Sequence, residues 1–344
     1  MSKHFRLISL LFVMALLTGC AAPTAPLVVT PDPGQAGPPA ELVPVAVGLG
    51  YIPSVQFAPF YVAQEKGFFA EQGLNVQFQH GIETDFLKLV GVGQMPFAVG
   101  SGDQVILGRA QDLPLTYVLA WYRQFPVGVM SLAERGLDSP LALEGQRVGI
   151  PGLFGASLVA WKALVYAAGV DENQVTLESI GFTQAAAVQQ GRVDAALDYV
   201  VNGPVQLELA GQDVNIIPVS DYIDLPSNGL ITNEQTITDS PELVQKMVNA
   251  VLTAIRYTLD NPDEAFAISL RAVPEAGGDN KAANRAIFDA SLALWRVSDA
   301  ELGQSSPEAW REAAAFMREM GLIDVEVPAD DVFTNQFVDA APGR

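Results

Sequence analysis

Hydrophobic and polar positions alternate along this chain in two similar series. Val45–Leu49 has the short apolar rhythm of a buried strand, and Pro59–Gln72 shows helical spacing through Phe60, Ala63, Phe68 and Phe69 until Gly73 stops it. Strand-like runs follow at Asn75–Gln79, Pro96–Gly100, Leu115–Trp121 and Val127–Leu132, with helical segments at Asp85–Gly93 and Asp103–Ala110 between them. A second series has strands at Arg147–Ile150, Val175–Ser179, Ala195–Tyr199 and Val214–Pro218, alternating with helices at Ala156–Ala168, Gln184–Gln190 and Val205–Ala210. From Asn228 the chain runs through Gly229–Thr232 and becomes almost wholly helical: Pro241–Leu259, Asp263–Ala272, Lys281–Leu294 and Pro307–Met320. Strands alternating with helices predict parallel βαβ units. The expected architecture is two α/β lobes, 45–132 with 228–344 and 133–227, joined near Met130–Arg135 and Val219–Ser227. Open parallel sheets take ligands at the carboxyl ends of their strands, so two facing lobes enclose a cleft.

The beginning of the chain departs from this pattern. Basic Lys3, His4 and Arg6 precede the apolar run Leu7–Leu17, whose eleven residues are too few to span a bilayer as a helix, which takes about 20. The run has the form of a secretory signal. It ends in Leu17-Thr18-Gly19-Cys20, which resembles the lipobox of bacterial lipoproteins. That resemblance implies a signal peptide of residues 1–19, cleavage before Cys20 and acylation of its sulfur, with the protein held on the extracytoplasmic side of the cell membrane. Residues 20–44 hold seven of the 23 prolines and are expected to form a tether.

Composition narrows the chemistry. With 19 Lys and Arg against 39 Asp and Glu, the net charge of −20 provides no footprint for nucleic acid. One cysteine excludes an internal disulfide or thiolate zinc site, and two histidines leave little room for imidazole catalysis. Neither metal nor cofactor is expected, and the chain is expected to be monomeric.

The segment Gly48–Gln72, followed by Gly73-Leu74-Asn75-Val76, resembles the opening of the solute-binding lipoproteins of ABC importers related to thiamine-pyrimidine-precursor binding and synthesis proteins. Val99-Gly100-Ser101-Gly102-Asp103, Gly145-Gln146-Arg147-Val148-Gly149 and Gly191-Arg192-Val193-Asp194-Ala195-Ala196 extend the likeness. It implies a type II periplasmic-binding-protein fold, a small-molecule ligand, a permease with its ATPase as partners, and no catalysis. The synthesis enzymes of the family use an iron site, a reactive His and a Cys-rich motif, for which this chain lacks the residues.

Matching loops supply the candidate ligand contacts. Tyr51, Gln56, Phe57 and Tyr61 lie on the first loop and helical turn; Tyr and Phe give flat faces for stacking, or pack the core. Ser101 and Asp103 either face the cleft or cap the following helix. Trp121 and Tyr122 are stacking candidates or an interlobe packing pair. In the second lobe Gly155 and Ser157 open a helix whose free N–H groups favour acceptors or anions. Asp198 and Tyr199 end a strand and Asn202 follows it; Asp198 and Asn202 could read polar edges of a ligand or make hinge or cap hydrogen bonds, and Asn228 lies near the second crossover. His80 is expected to be a bystander.

Pyrimidine-precursor binders carry a His where this chain has Phe57, a departure that favours a larger aromatic ring. Riboflavin is the first expectation, the thiamine pyrimidine precursor (hydroxymethylpyrimidine or formylaminopyrimidine) the second, and an alkyl or aryl sulfonate the third.

Overall fold

A computed structural model describes residues 41–342. The signal segment, Cys20 and the tether as far as Ala40 lie outside the described residues. Among the described residues ten strands form two five-stranded sheets. In the first, β1 (Val43–Leu49) pairs in parallel with β2 (Leu74–His80) and β3 (Phe97–Ser101), while β4 (Leu115–Ala120) forms the far edge. In the second, β6 (Arg147–Ile150) pairs in parallel with β7 (Thr176–Ser179) and β8 (Ala195–Tyr199), with β9 (Val214–Pro218) at the edge. The remaining strands are exchanged. β5 (Val127–Leu132) follows β4 in sequence yet runs antiparallel between β8 and β9, and β10 (Asn228–Asn233) follows β9 yet runs antiparallel between β3 and β4. Both sheets thus share one order, β2-β1-β3-β10-β4 and β7-β6-β8-β5-β9.

This exchange corrects two expectations. Val127–Leu132 belongs to the second sheet, so the first passage between sheets falls at residues 121–126 rather than near Met130–Arg135. The sheets are also mixed rather than wholly parallel. The βα crossovers make the parallel pairs, whereas a strand arriving directly from the other sheet enters from the opposite end. β1 also starts two residues earlier than the run Val45–Leu49, and takes in the last residues assigned to the tether.

The helical tail packs as its periodicity dictates. Pro241–Asp260 buries Val244, Val248, Val251 and Ile255 at intervals of three and four residues, against Ala58–Glu65 on the first sheet. Pro307–Glu319 does not stay with the first lobe. It packs on both Gly102–Arg109 and Gly155–Ala168, with Phe316 5.5 Å from the ring of Tyr166 and Glu319 accepting from the Tyr166 hydroxyl at 3.1 Å. The tail therefore ties the lobes together. Among the described residues no helix is long and apolar enough to cross a membrane.

Candidate functional site

The carboxyl ends of the parallel strands converge on one cleft. β1 delivers Gly50 and Tyr51, β2 delivers Ile82, Glu83 and Thr84, and β4 delivers Trp121 and Tyr122. From the second sheet, β6 contributes Pro151 and the run Phe154 to Ser157, β7 contributes Phe182 and Gln184, and β8 contributes Asp198, Tyr199 and Asn202. Asn228 joins them from the start of β10, because an antiparallel strand presents its first residue where its neighbours present their last.

Eleven of the fourteen residues singled out in the sequence line this cleft: Tyr51, Gln56, Phe57, Trp121, Tyr122, Gly155, Ser157, Asp198, Tyr199, Asn202 and Asn228. The other three are buried behind its wall. Tyr61 packs in the first lobe's core and its hydroxyl meets His80 Nε2 at 3.2 Å. His80 Nδ1 lies 3.2 Å from the carbonyl of Tyr51, which only accepts, so Nδ1 carries the proton and Nε2 accepts from Tyr61. Ser101 spends both its N–H and its hydroxyl on Glu83 Oε1, at 3.0 and 2.9 Å, and makes no capping bond. Asp103 has no exposed surface; its Oδ2 accepts from Gln104 and its Oδ1 has no partner.

Of the aromatic candidates, Tyr51 is half-buried and opens on the cleft. Trp121, Tyr122 and Phe57 present only a small part of themselves to the cleft. Trp121 is sandwiched among Phe60, Phe57, Tyr122 and Trp295 with ring centroids 4.8–5.8 Å apart. The most open faces belong to Phe154 and Phe182, 57% and 61% exposed, which the sequence reading left out. Phe182 meets Tyr51 edge to face across the cleft at 5.3 Å. An exposed aromatic in a short loop stands out only once the fold sets it beside another.

Glu83 is the other omission. As an acid in the first turn of Glu83–Gly91, it looks from sequence like a residue that merely suits the helix dipole. Burial, reinforced by the negative charge of Asp103, pushes its carboxyl up to about 7. Burial likewise raises Asp103 to about 6 and Asp198 to about 7. Asp198 accepts from the Tyr199 N–H at 2.7 Å, and Gly203 lets the backbone come so close that a Cβ there would lie 2.3 Å from Asp198 Oδ2. Burial, and then the charge of Asp198, raise the Tyr51 hydroxyl to about 12, so it remains a donor at neutral pH.

No countercharge balances these carboxyls. Among the described residues that line the cleft there is no Lys, Arg or His. Arg109 is paired with Glu234 at 2.6 Å, and Arg123 opens on a separate cavity, 3.9 Å from Glu301. Gln56 Nε2 and Trp121 Nε1 are buried on lining residues without an acceptor. The cleft thus offers flat apolar faces, hydroxyl and amide side chains and carboxyl groups, a set suited to an uncharged aromatic ligand rich in polar groups.

The protein family described as NMT1/THI5 like matches residues 54–265. The riboflavin-binding protein RibY of Chloroflexus aurantiacus is 38% identical to this chain over 336 residues, covering 95% of the chain and 96% of its own length. A formylaminopyrimidine-binding protein of Halalkalibacterium halodurans is 32% identical over 343 residues, covering 97% and 99%. Among solved structures, the alkanesulfonate-binding protein SsuA of Xanthomonas axonopodis pv. citri bound to MOPS superposes with a TM-score of 0.68 at 13% identity, over 86% of this chain and 99% of its own. That likeness shows the fold, which is that of the periplasmic binding proteins.

Proposed function

The chain belongs to the NMT1/THI5-like family, and from that premise we propose that it is the solute-binding lipoprotein of an ABC importer and that its ligand is riboflavin. The observation that carries the ligand is the make-up of the cleft: open faces of Tyr51, Phe154 and Phe182 beside hydrogen-bonding side chains, with no cation in the lining. Riboflavin is uncharged at neutral pH, has a wide flat ring for stacking, and carries a polyol whose hydroxyls can donate to carboxylates. The relative named as a riboflavin-binding protein supports the same choice.

In this reading Cys20 carries the lipid anchor, the folded part stands outside the cytoplasmic membrane as a monomer, and a permease with its ATPase receives the ligand. The protein binds and releases without turnover, in keeping with the two relatives named as binding proteins.

The thiamine pyrimidine precursor is the second reading. Glu83 and Asp198 could accept from the exocyclic amine of such a ring, and one relative is named for formylaminopyrimidine. A sulfonate finds less support, because it would set a fixed negative charge against those carboxyls.

Titration of the purified full chain in detergent, read by flavin and tryptophan fluorescence, tests the choice. Riboflavin should bind with a Kd below about 10 μM and outcompete formylaminopyrimidine and MOPS. Saturable binding of formylaminopyrimidine with none of riboflavin would replace the first reading by the second.

A further inference from the structure

The cleft is polarised from mouth to floor. At the mouth stand Phe154 and Phe182, more than half exposed, with half-buried Tyr51 between the lobes. At the floor, Asp198 and Asn228 are each 7% exposed, and Glu83 is held in place by Ser101. Glu83 comes from the first lobe and Asp198 from the second, so carboxyl groups flank the floor on both sides.

We infer that the ligand lies ring outward, its flat ring against Tyr51, Phe154 and Phe182 and its polyol tail against Glu83 and Asp198, so that the cleft accepts the flavin and rejects its 5′-phosphate. The inference rests on the flavin reading above. Stacking needs open aromatic faces, and these are at the mouth; the rings at the floor, Trp121 and Tyr122, are covered by their neighbours. The free N–H groups that open Gly155–Ala168 adjoin Phe154 and so lie with the ring, where carbonyl oxygens can accept from them. A phosphate at the far end of the tail would meet the floor, where no lining cation offsets it. The carboxyl groups there ionise near neutral pH and, once deprotonated, face it with like charge. Glu83 and Asp198 are then the specificity-determining side chains. Where the vitamin is present as its phosphate ester, a phosphomonoester hydrolysis outside the cell must come before capture.

The test compares riboflavin with flavin mononucleotide on the full chain, by fluorescence titration at fixed ionic strength. The mononucleotide should bind at least about tenfold more weakly, and Asp198→Asn or Glu83→Gln should narrow that ratio. Equal binding of the two flavins overturns the orientation and leaves the riboflavin reading intact. A ratio that neither substitution changes overturns the assignment of the floor carboxyls. If neither flavin binds, the function reading falls and this inference with it.

Discussion

Tyr199 donates its hydroxyl hydrogen to Asn228 Oδ1 at 3.1 Å, joining the last residue of a strand in one sheet to the first residue of a strand in the other. Both residues line the cleft, so this bond between the lobes lies in the ligand's own compartment. Tyr199→Phe should lower stability by about 1 kcal/mol, measured as a shift in the urea midpoint. Asn228→Ala should cost a similar amount, and the double variant little more than either alone. Additive losses would show that the two side chains act separately.

Phe182 separates binding from folding. Its side chain is mostly solvated, so Phe182→Ala should change the melting temperature little. Affinity for the aromatic ligand should fall by about 1 kcal/mol, as should that of Phe154→Ala. Calorimetric titration beside thermal melts reads both, and an unchanged affinity would remove these rings from the site.

Asp198 gives a pH dependence of definite sign. Burial raises its carboxyl from 3.8 to about 7, so across that window the folded protein keeps a proton that the unfolded chain has lost. The folded state binds more protons there, and stability must fall as pH rises from about 4 to about 7. Glu83, near 7, and Asp103, near 6, act in the same direction. Asp198→Asn should flatten the slope of urea midpoint against pH in that window, and an unaltered slope would refute the assignment.

Gly229 marks the tightest packing beside the cleft. A Cβ there would lie 2.2 Å from both the Leu119 carbonyl oxygen and the Tyr117 hydroxyl. The first is backbone and cannot step aside, so Gly229→Ala should destabilise by about 1–3 kcal/mol. Denaturant titration checks this, and a loss within error would mean that β10 can shift against β4.

Nine of the ten strands and the longer helices were legible because burial imposes a period on the sequence; β10, the strand Asn228–Asn233, was not. Which sheet a strand joins was not, since Val127–Leu132 reads the same in either lobe. Most of the cleft was legible from its place at strand ends, which is a property of topology. The fates of Tyr61 and Ser101 were not, because their partners lie far along the chain: His80 for Tyr61 and Glu83 for Ser101. Asp103 was misplaced because its complete burial, beside a neighbour that bonds it, follows from the fold. Phe154 and Phe182 were missed for the opposite reason, since open aromatic faces have no local signature.

The two passages between the sheets, 121–126 and 219–227, are laced to each other. The N–H groups of Trp121 and Tyr122 both donate to the Asn228 carbonyl at 3.0 Å, the Ser227 hydroxyl donates to the Gln124 carbonyl at 2.9 Å, and the Tyr117 hydroxyl reaches the Ser227 carbonyl at 3.1 Å. Because each sheet also holds a strand fed through these passages, the halves are threaded through one another. A protease that nicks either passage should therefore leave one particle under native conditions, and two fragments only once the chain is denatured.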